Sequence, residues 1–162
     1  MQEFIYFIFS VLFYGVLGYT HSAKNGDIQI KFGLIKEDEF YRCYVYSETT
    51  HIPLILKDND PDFKFGYTLE YPDDRVFSSF FALSLPKPPK RISGSLAEAE
   101  RRDNGRTLIS APELYAGETC GAFSFDEGDP IGKWKVDIYV NNALRRSIPF
   151  IVIPPAKIRY SA

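Results

Sequence analysis

The chain has 162 residues, 45% of them apolar, 16% aromatic and 25% charged, with a formal net charge of −2. That length suits roughly one domain, and the composition excludes disorder, collagen and coiled coil. A balance of 19 basic to 21 acidic residues leaves no electrostatic footprint for nucleic acid.

Residues 4–19 read FIYFIFSVLFYGVLGY, an apolar run relieved only by Ser10, Gly15 and Gly18. As a helix it would be about 24 Å long, short of a hydrocarbon core of ~30 Å. Thr20, His21, Ser22 and Ala23 follow, then the polar Lys24-Asn25-Gly26-Asp27. This is the layout of a secretory signal peptide cleaved near Ser22 or Ala23. It lacks Lys or Arg ahead of the apolar run and carries Glu3, so the amino terminus alone supplies the positive end. The expected organisation is a leader over residues 1–23 and one domain over 24–162, periplasmic or secreted. The alternative is an uncleaved anchor, with membrane contact through residues 4–19 only.

Beyond the leader the chain reads as short strands between turns. Ile28, Ile30 and Phe32 alternate with Gln29, Lys31 and Gly33, the period of a half-buried strand. Residues 40–47, FYRCYVYS, favour a pleated surface. Asp58-Asn59-Asp60-Pro61-Asp62 breaks the chain. Residues 63–71 alternate again, Pro72-Asp73-Asp74 turns, and 76–85 follow, so 63–85 is predicted to be a hairpin. Pro86-Lys87-Pro88-Pro89-Lys90 lacks three N–H donors and belongs on the surface as an extended connector. Ser95-Leu96-Ala97-Glu98 has capping-box spacing ahead of Ala99, Glu100, Arg101 and Arg102, which predicts one short helix near 95–103.

The last third has the clearest pattern. Trp134, Val136, Ile138 and Val140 share one parity and are uniformly apolar, with Gly132 ahead of them. Asn141-Asn142 suits a tight primed turn, after which Leu144, Ile148, Phe150 and Val152 return. Arg146 shares that apolar parity and breaks the pattern. These strands predict an all-β fold, an antiparallel immunoglobulin-like β-sandwich of about 7–9 strands, with a small closed barrel as the alternative. Trp134, Val136, Ile138, Val140, Phe150 and Val152 are its candidate core.

The part after the leader holds two cysteines, Cys43 and Cys120. In an oxidising compartment an even count of two makes one disulfide the default, with two buried thiols as the alternative. Only His51 could then serve a catalytic thiol, and two cysteines with one distant histidine make a poor metal set.

Three stretches together are similar to a known pattern: Cys120-Gly121-Ala122-Phe123-Ser124-Phe125-Asp126-Glu127, then Gly132-Lys133-Trp134, then Leu144 with Phe150-Ile151-Val152. Ile30-Lys31-Phe32-Gly33-Leu34, Ile52-Pro53, Phe65-Gly66-Tyr67 and Leu85-Pro86 extend the likeness upstream. Over residues 28–153 the chain resembles an uncharacterised bacterial family of exported immunoglobulin-like domains. The resemblance implies fold and export, and no activity. The cysteine pair is not part of it.

Candidate sites are few. Asp58, Asp60 and Asp62 have the alternate spacing that opens calcium loops, but Phe63 stands where a glycine is needed and Leu69 where a bidentate glutamate is. A solvated turn is the preferred reading, and the three remain a weak calcium candidate. Asp126, Glu127 and Asp129 form a second acidic loop that turn chemistry explains. Nucleophile-elbow, phosphate-loop and zinc-helix motifs are missing, so no catalytic residue and no cofactor is expected. The functional expectation is a non-catalytic binding or interaction module of the bacterial envelope. It would bind an envelope protein or glycan through end loops or an exposed strand edge, and behave as a monomer or weak oligomer. The alternative is a secreted carboxylate-dependent hydrolase or carbohydrate-active domain, which needs two convergent acids in a pocket.

Overall fold

The computed structural model describes residues 28–40 and 42–155; the expected leader lies outside the described residues. Eleven strands follow one another: β1 Gln29–Glu37, β2 Cys43–Glu48, β3 His51–Pro53, β4 Lys64–Glu70, β5 Val76–Ser84, β6 Glu100–Arg102, β7 Thr107–Ile109, β8 Glu113–Ala116, β9 Glu118–Phe123, β10 Gly132–Val140 and β11 Ala143–Ile153. They build two sheets. The smaller has the order β2-β1-β4-β9; the larger runs β3-β11-β10-β5-β7-β6, with β8 also on β5. Every pairing is antiparallel except β3 on β11. The fold is an all-β sandwich, with more strands than the 7–9 expected because β3, β6, β7 and β8 are only three or four residues long.

Aromatic rings fill the space between the sheets. Phe65 of the small sheet stacks on Phe125 at 4.5 Å, and Phe32 meets Phe150 of the large sheet at 4.9 Å. Trp134 meets Phe125 edge-on and Phe150 at a tilt, and its indole N–H donates to the Pro130 carbonyl at 2.8 Å. Trp134, Val136, Ile138 and Val140 on β10 are all buried, as are Phe150 and Val152 across the hairpin. Asn141 and Asn142 both take positive φ, 51° and 62°, as a primed turn requires.

A one-residue slip removes Leu144, and not Arg146, from the inner face of β11. The β10–β11 register shifts between Ile138 and Tyr139, so that Arg146 faces Ile138 while Leu144 faces Tyr139. Leu144 is therefore turned outward and exposed rather than joining the core face. Arg146 keeps the inner parity and crosses to the other sheet, where its guanidinium donates to the Ile30 carbonyl of β1.

The predicted hairpin over 63–85 is not formed. β4 pairs with β1 and β9 in the small sheet, whereas β5 pairs with β10, β7 and β8 in the large one. The 3-10 turn Pro72–Asp74 carries the chain between sheets. Alternation fixes which side chains share a face but not which strand lies alongside, and here the two apolar faces meet: Tyr71 stacks on Phe77 at 4.9 Å and Tyr67 meets Phe81 edge-on. Consecutive Phe80 and Phe81 point opposite ways as strand geometry demands, with Phe80 stacked on Tyr139 on the outer face at 4.5 Å.

The helix expected near 95–103 is also replaced. A single 3-10 turn spans Gly94–Leu96, and β6 then pairs with β7 through the left-handed Asp103 and Asn104. Two helical turns alone are marginal in water, and a ladder onto a sheet already in place satisfies the same backbone groups.

Gly66 is held by a close approach. A Cβ there would lie 1.9 Å from the Gly121 carbonyl oxygen of β9, at a φ of 148°. Gly66→Ala must separate β4 from β9, so a loss of about 1–3 kcal/mol is expected, read as a lower urea midpoint with unchanged slope.

Candidate functional site

Two features outside the core could carry function: a polar corner at one end of the sandwich and a groove along the edge of β9.

The corner joins three distant segments. An isolated bridge pairs Leu56 with Phe125, and the Lys57 N–H donates to the Phe125 carbonyl at 3.0 Å. This brings the Lys57 ammonium to 2.6 Å from Asp126 Oδ1 and 2.6 Å from Ser93 Oγ. The Ser93 hydroxyl donates to Asp126 Oδ2 at 2.5 Å. Asp129 closes the turn by accepting the Asp126 N–H on Oδ2 at 2.8 Å. Lys90 lies over Gly128, which seats the proline-rich connector against the same loop.

The two carboxylates titrate in opposite directions. Burial raises Asp126, but the hydrogen bonds from Lys57 and Ser93, with the charges of Lys57 and Arg91, outweigh it and hold the group below its ordinary value. Burial pushes Asp129 up to about 6, and the Asp126 charge adds to it. The sign for stability follows from the unfolded value of 3.8. Between that pH and about 6 the unfolded chain releases the Asp129 proton first, so stability falls as pH rises across this window. Asp126 acts below it, its contribution being lost as pH falls under 3.8. Urea midpoints at pH 4 and pH 7 should therefore differ less for Asp129→Asn than for the parent chain.

Two acids with separated titration are what a hydrolase would need, but the cavity beside them is about 30 Å³, room for a water or two. Asp126 is also spent on Lys57 and Ser93. Sequence reading noted both acidic loops and had no means of joining Lys57, Ser93 and Asp126, because 36 residues separate the first two and 33 the last two.

The weak calcium candidates do not converge. Asp58, Asp60 and Asp62 are exposed, and Asp60 Oδ1 accepts the Asp62 N–H at 3.1 Å, an ordinary turn contact. Among the described residues no group of three or more metal-ligating side chains comes together. His51 is exposed on β3, and Glu98 and Glu100 are exposed without a helix to align them.

Cys43 and Cys120 form a disulfide with Cα atoms 6.2 Å apart. They belong to β2 and β9, the two opposite edges of the small sheet. Three strand spacings in a flat sheet would hold them roughly 14 Å apart, so the sheet curls, helped by a register shift between Leu34 and Ile35 that skips Tyr46.

The groove opens beside this bridge, between β9 and the strands β5 and β8, with a volume of about 400 Å³. Phe81, Phe123 and Tyr67 form its floor. Burial raises the Tyr67 phenol, which hydrogen-bonds to Ser79; the Ser79 hydroxyl donates to the Tyr139 carbonyl at 3.0 Å. Its charged lining residues are Glu37, Glu98 and Glu113, with no basic side chain among them.

No protein-family model matches the chain, and no curated protein does. Among solved structures, an immunoglobulin-like protein from Pseudomonas aeruginosa is similar at 16% identity, over 80% of this chain and 99% of that one, with a TM-score of 0.45. An alkylpurine DNA glycosylase from Pseudomonas fluorescens, solved bound to DNA containing an abasic-site analogue, aligns at 13% identity over 78% of this chain and 30% of its own, with a TM-score of 0.30. At these identities neither likeness bears on activity. The chain is an all-β sandwich with an immunoglobulin-like structural neighbour.

Proposed function

We propose that this chain is a non-catalytic binding module that works outside the cytoplasm, in the bacterial envelope or secreted from it. The observation that carries the binding half is the groove along β9: at about 400 Å³ it is of ligand size, while the carboxylate corner has room only for water. The disulfide supports the compartment, since such bridges persist where thiols are oxidised. The immunoglobulin-like neighbour agrees with the fold of such a module and adds nothing about its ligand.

A photo-crosslinking side chain at Ala111, on the groove rim, tests the reading in the native host. A crosslinked product of one defined mass is expected from the envelope or culture fluid, and it should vanish when the probe stands at Lys133 on the outer face of β10. Equal capture from both positions, or from neither, overturns the binding reading. Recovery of the chain in the cytoplasm with an intact Met1 and two free thiols overturns the compartment.

A further inference from the structure

We infer that the end of the sandwich bearing Val76, Leu114 and Leu144 rests on a zwitterionic lipid bilayer, tethered by the apolar run over residues 4–19 inserted in the same bilayer. The inference goes beyond the binding reading above and makes no use of its groove.

Three large apolar side chains that the fold leaves in water lie close together. Leu114 is 75% exposed, Val76 68% and Leu144 54%. The registers put them on one face. Tyr139 of β10 is paired with Phe80 of β5 on one side and with Leu144 of β11 on the other. Ser78, two residues from Phe80, is paired with Leu114 of β8, and Val76 lies two residues further on the same parity. The result is an apolar band across four adjacent strands, on the outer face of the large sheet, with no charged side chain in it.

The chain leaves the fold at the same end. β1 starts at Gln29, where it is paired with Glu70. The neighbouring Tyr71 donates its N–H to the Gly117 carbonyl at 2.6 Å, and the Gly117 N–H donates to the carbonyl of Arg75, next to Val76. On the other flank Arg146, two residues from Leu144, donates to the Ile30 carbonyl. Only residues 20–27 separate this exit from the apolar run over 4–19. Eight residues reach no further than about 29 Å, so a bilayer that takes up the run lies within reach of the band. Ile131, ahead of β10, is at the opposite end of the strands.

Three side chains alone hold a domain on lipid weakly, and a tether makes the contact intramolecular. The exposed charges around the band are mixed, Asp74, Glu113 and Glu118 with Arg75 and Arg145. Such a rim suits headgroups that carry both an ammonium and a phosphate, and lacks the basic cluster that selects anionic lipid.

Fluorescence of the full, disulfide-bonded chain in phosphatidylethanolamine–phosphatidylcholine vesicles tests this, with brominated acyl chains as quencher. Leu114→Trp and Leu144→Trp should each be quenched several-fold more than Ile131→Trp, whose parent side chain is also apolar and 49% exposed. Buried Trp134 is common to all three and sets the baseline. Adding Val76→Ser/Leu114→Ser should strip most of the quenching from Leu144→Trp while the chain still floats with the vesicles. Equal quenching at both ends, or none at 114 and 144 in the floated chain, overturns the docking. Stronger quenching on phosphatidylglycerol vesicles overturns the choice of lipid. Energy transfer between copies that rises with the protein-to-lipid ratio, without quenching by the brominated chains, gives the face to a second copy and overturns the bilayer. A chain recovered from the host only with its N-terminus near Lys24 overturns the tether and the proposal with it. None of these results alters the Ala111 crosslink, whose loss counts against the binding module alone.

Discussion

Trp134→Ala is expected to lower the stability of the fold by about 3–5 kcal/mol, a large share of the 5–15 typical of a domain. The indole is 5% exposed and touches both Phe125 and Phe150, so truncation opens a void between the sheets that neither neighbour can fill from its own strand. It also strips the Pro130 carbonyl of its donor. Trp134→Phe keeps most of the ring and loses only that bond, so it should fall between, at about 1–3 kcal/mol. Lys135→Ala, one residue along and on the outer face, removes a half-exposed ion pair with Asp137, which keeps its Ser147 hydrogen bond, and should cost under about 1 kcal/mol. Urea melts of the three variants rank them. Equal midpoints for Trp134→Ala and Lys135→Ala would show that the inward parity of β10 is wrong.

Removing the bridge is expected to have an effect of similar size. Cys43→Ser/Cys120→Ser opens a loop of 77 residues, worth about 4–5 kcal/mol by the chain-entropy argument. Cys43 sits at the start of an edge strand, so the loss should be uneven. Amides of β2 should exchange faster in the variant, while those of β10, paired on both sides, should respond only through global unfolding. Uniform acceleration across both strands would show that the bridge does not hold the curl of the small sheet.

How much of this was legible in the sequence depends on range. The β10–β11 hairpin could be read because its parity, its Asn141-Asn142 turn and its tryptophan all lie within about twenty residues and agree with one another. The extra residue in β11 could not, since a bulge leaves composition untouched, and Arg146 keeps the inner parity with or without it. For β4 the alternation agrees with its buried Phe65, Tyr67 and Leu69, while the expected hairpin with β5 named the partner wrongly. The helix over 95–103 was a local preference overruled by the β7 edge waiting beside it. The site was least legible. Lys57, Ser93 and Asp126 meet only because a bridge between Leu56 and Phe125 ties two loops, and no spacing rule spans such gaps. The groove lies where β9 of one sheet faces β5 and β8 of the other, which is a property of the strand order and not of any residue in it.

The placement of the bridge also determines how the chain would yield under tension. With Cys43 and Cys120 joined, a pull on the two ends can extend only the residues before Cys43 and after Cys120. The stretch they bracket, a sequence separation of 77, stays short-circuited, and it includes β4 and β5. At ~3.3–3.6 Å per residue the oxidised chain withholds roughly 250–280 Å of contour length that the reduced chain would release. Stretched in an atomic-force or optical-trap experiment, the oxidised protein should rupture by peeling β1 and the β10–β11 hairpin, and then resist as a knot of fixed size.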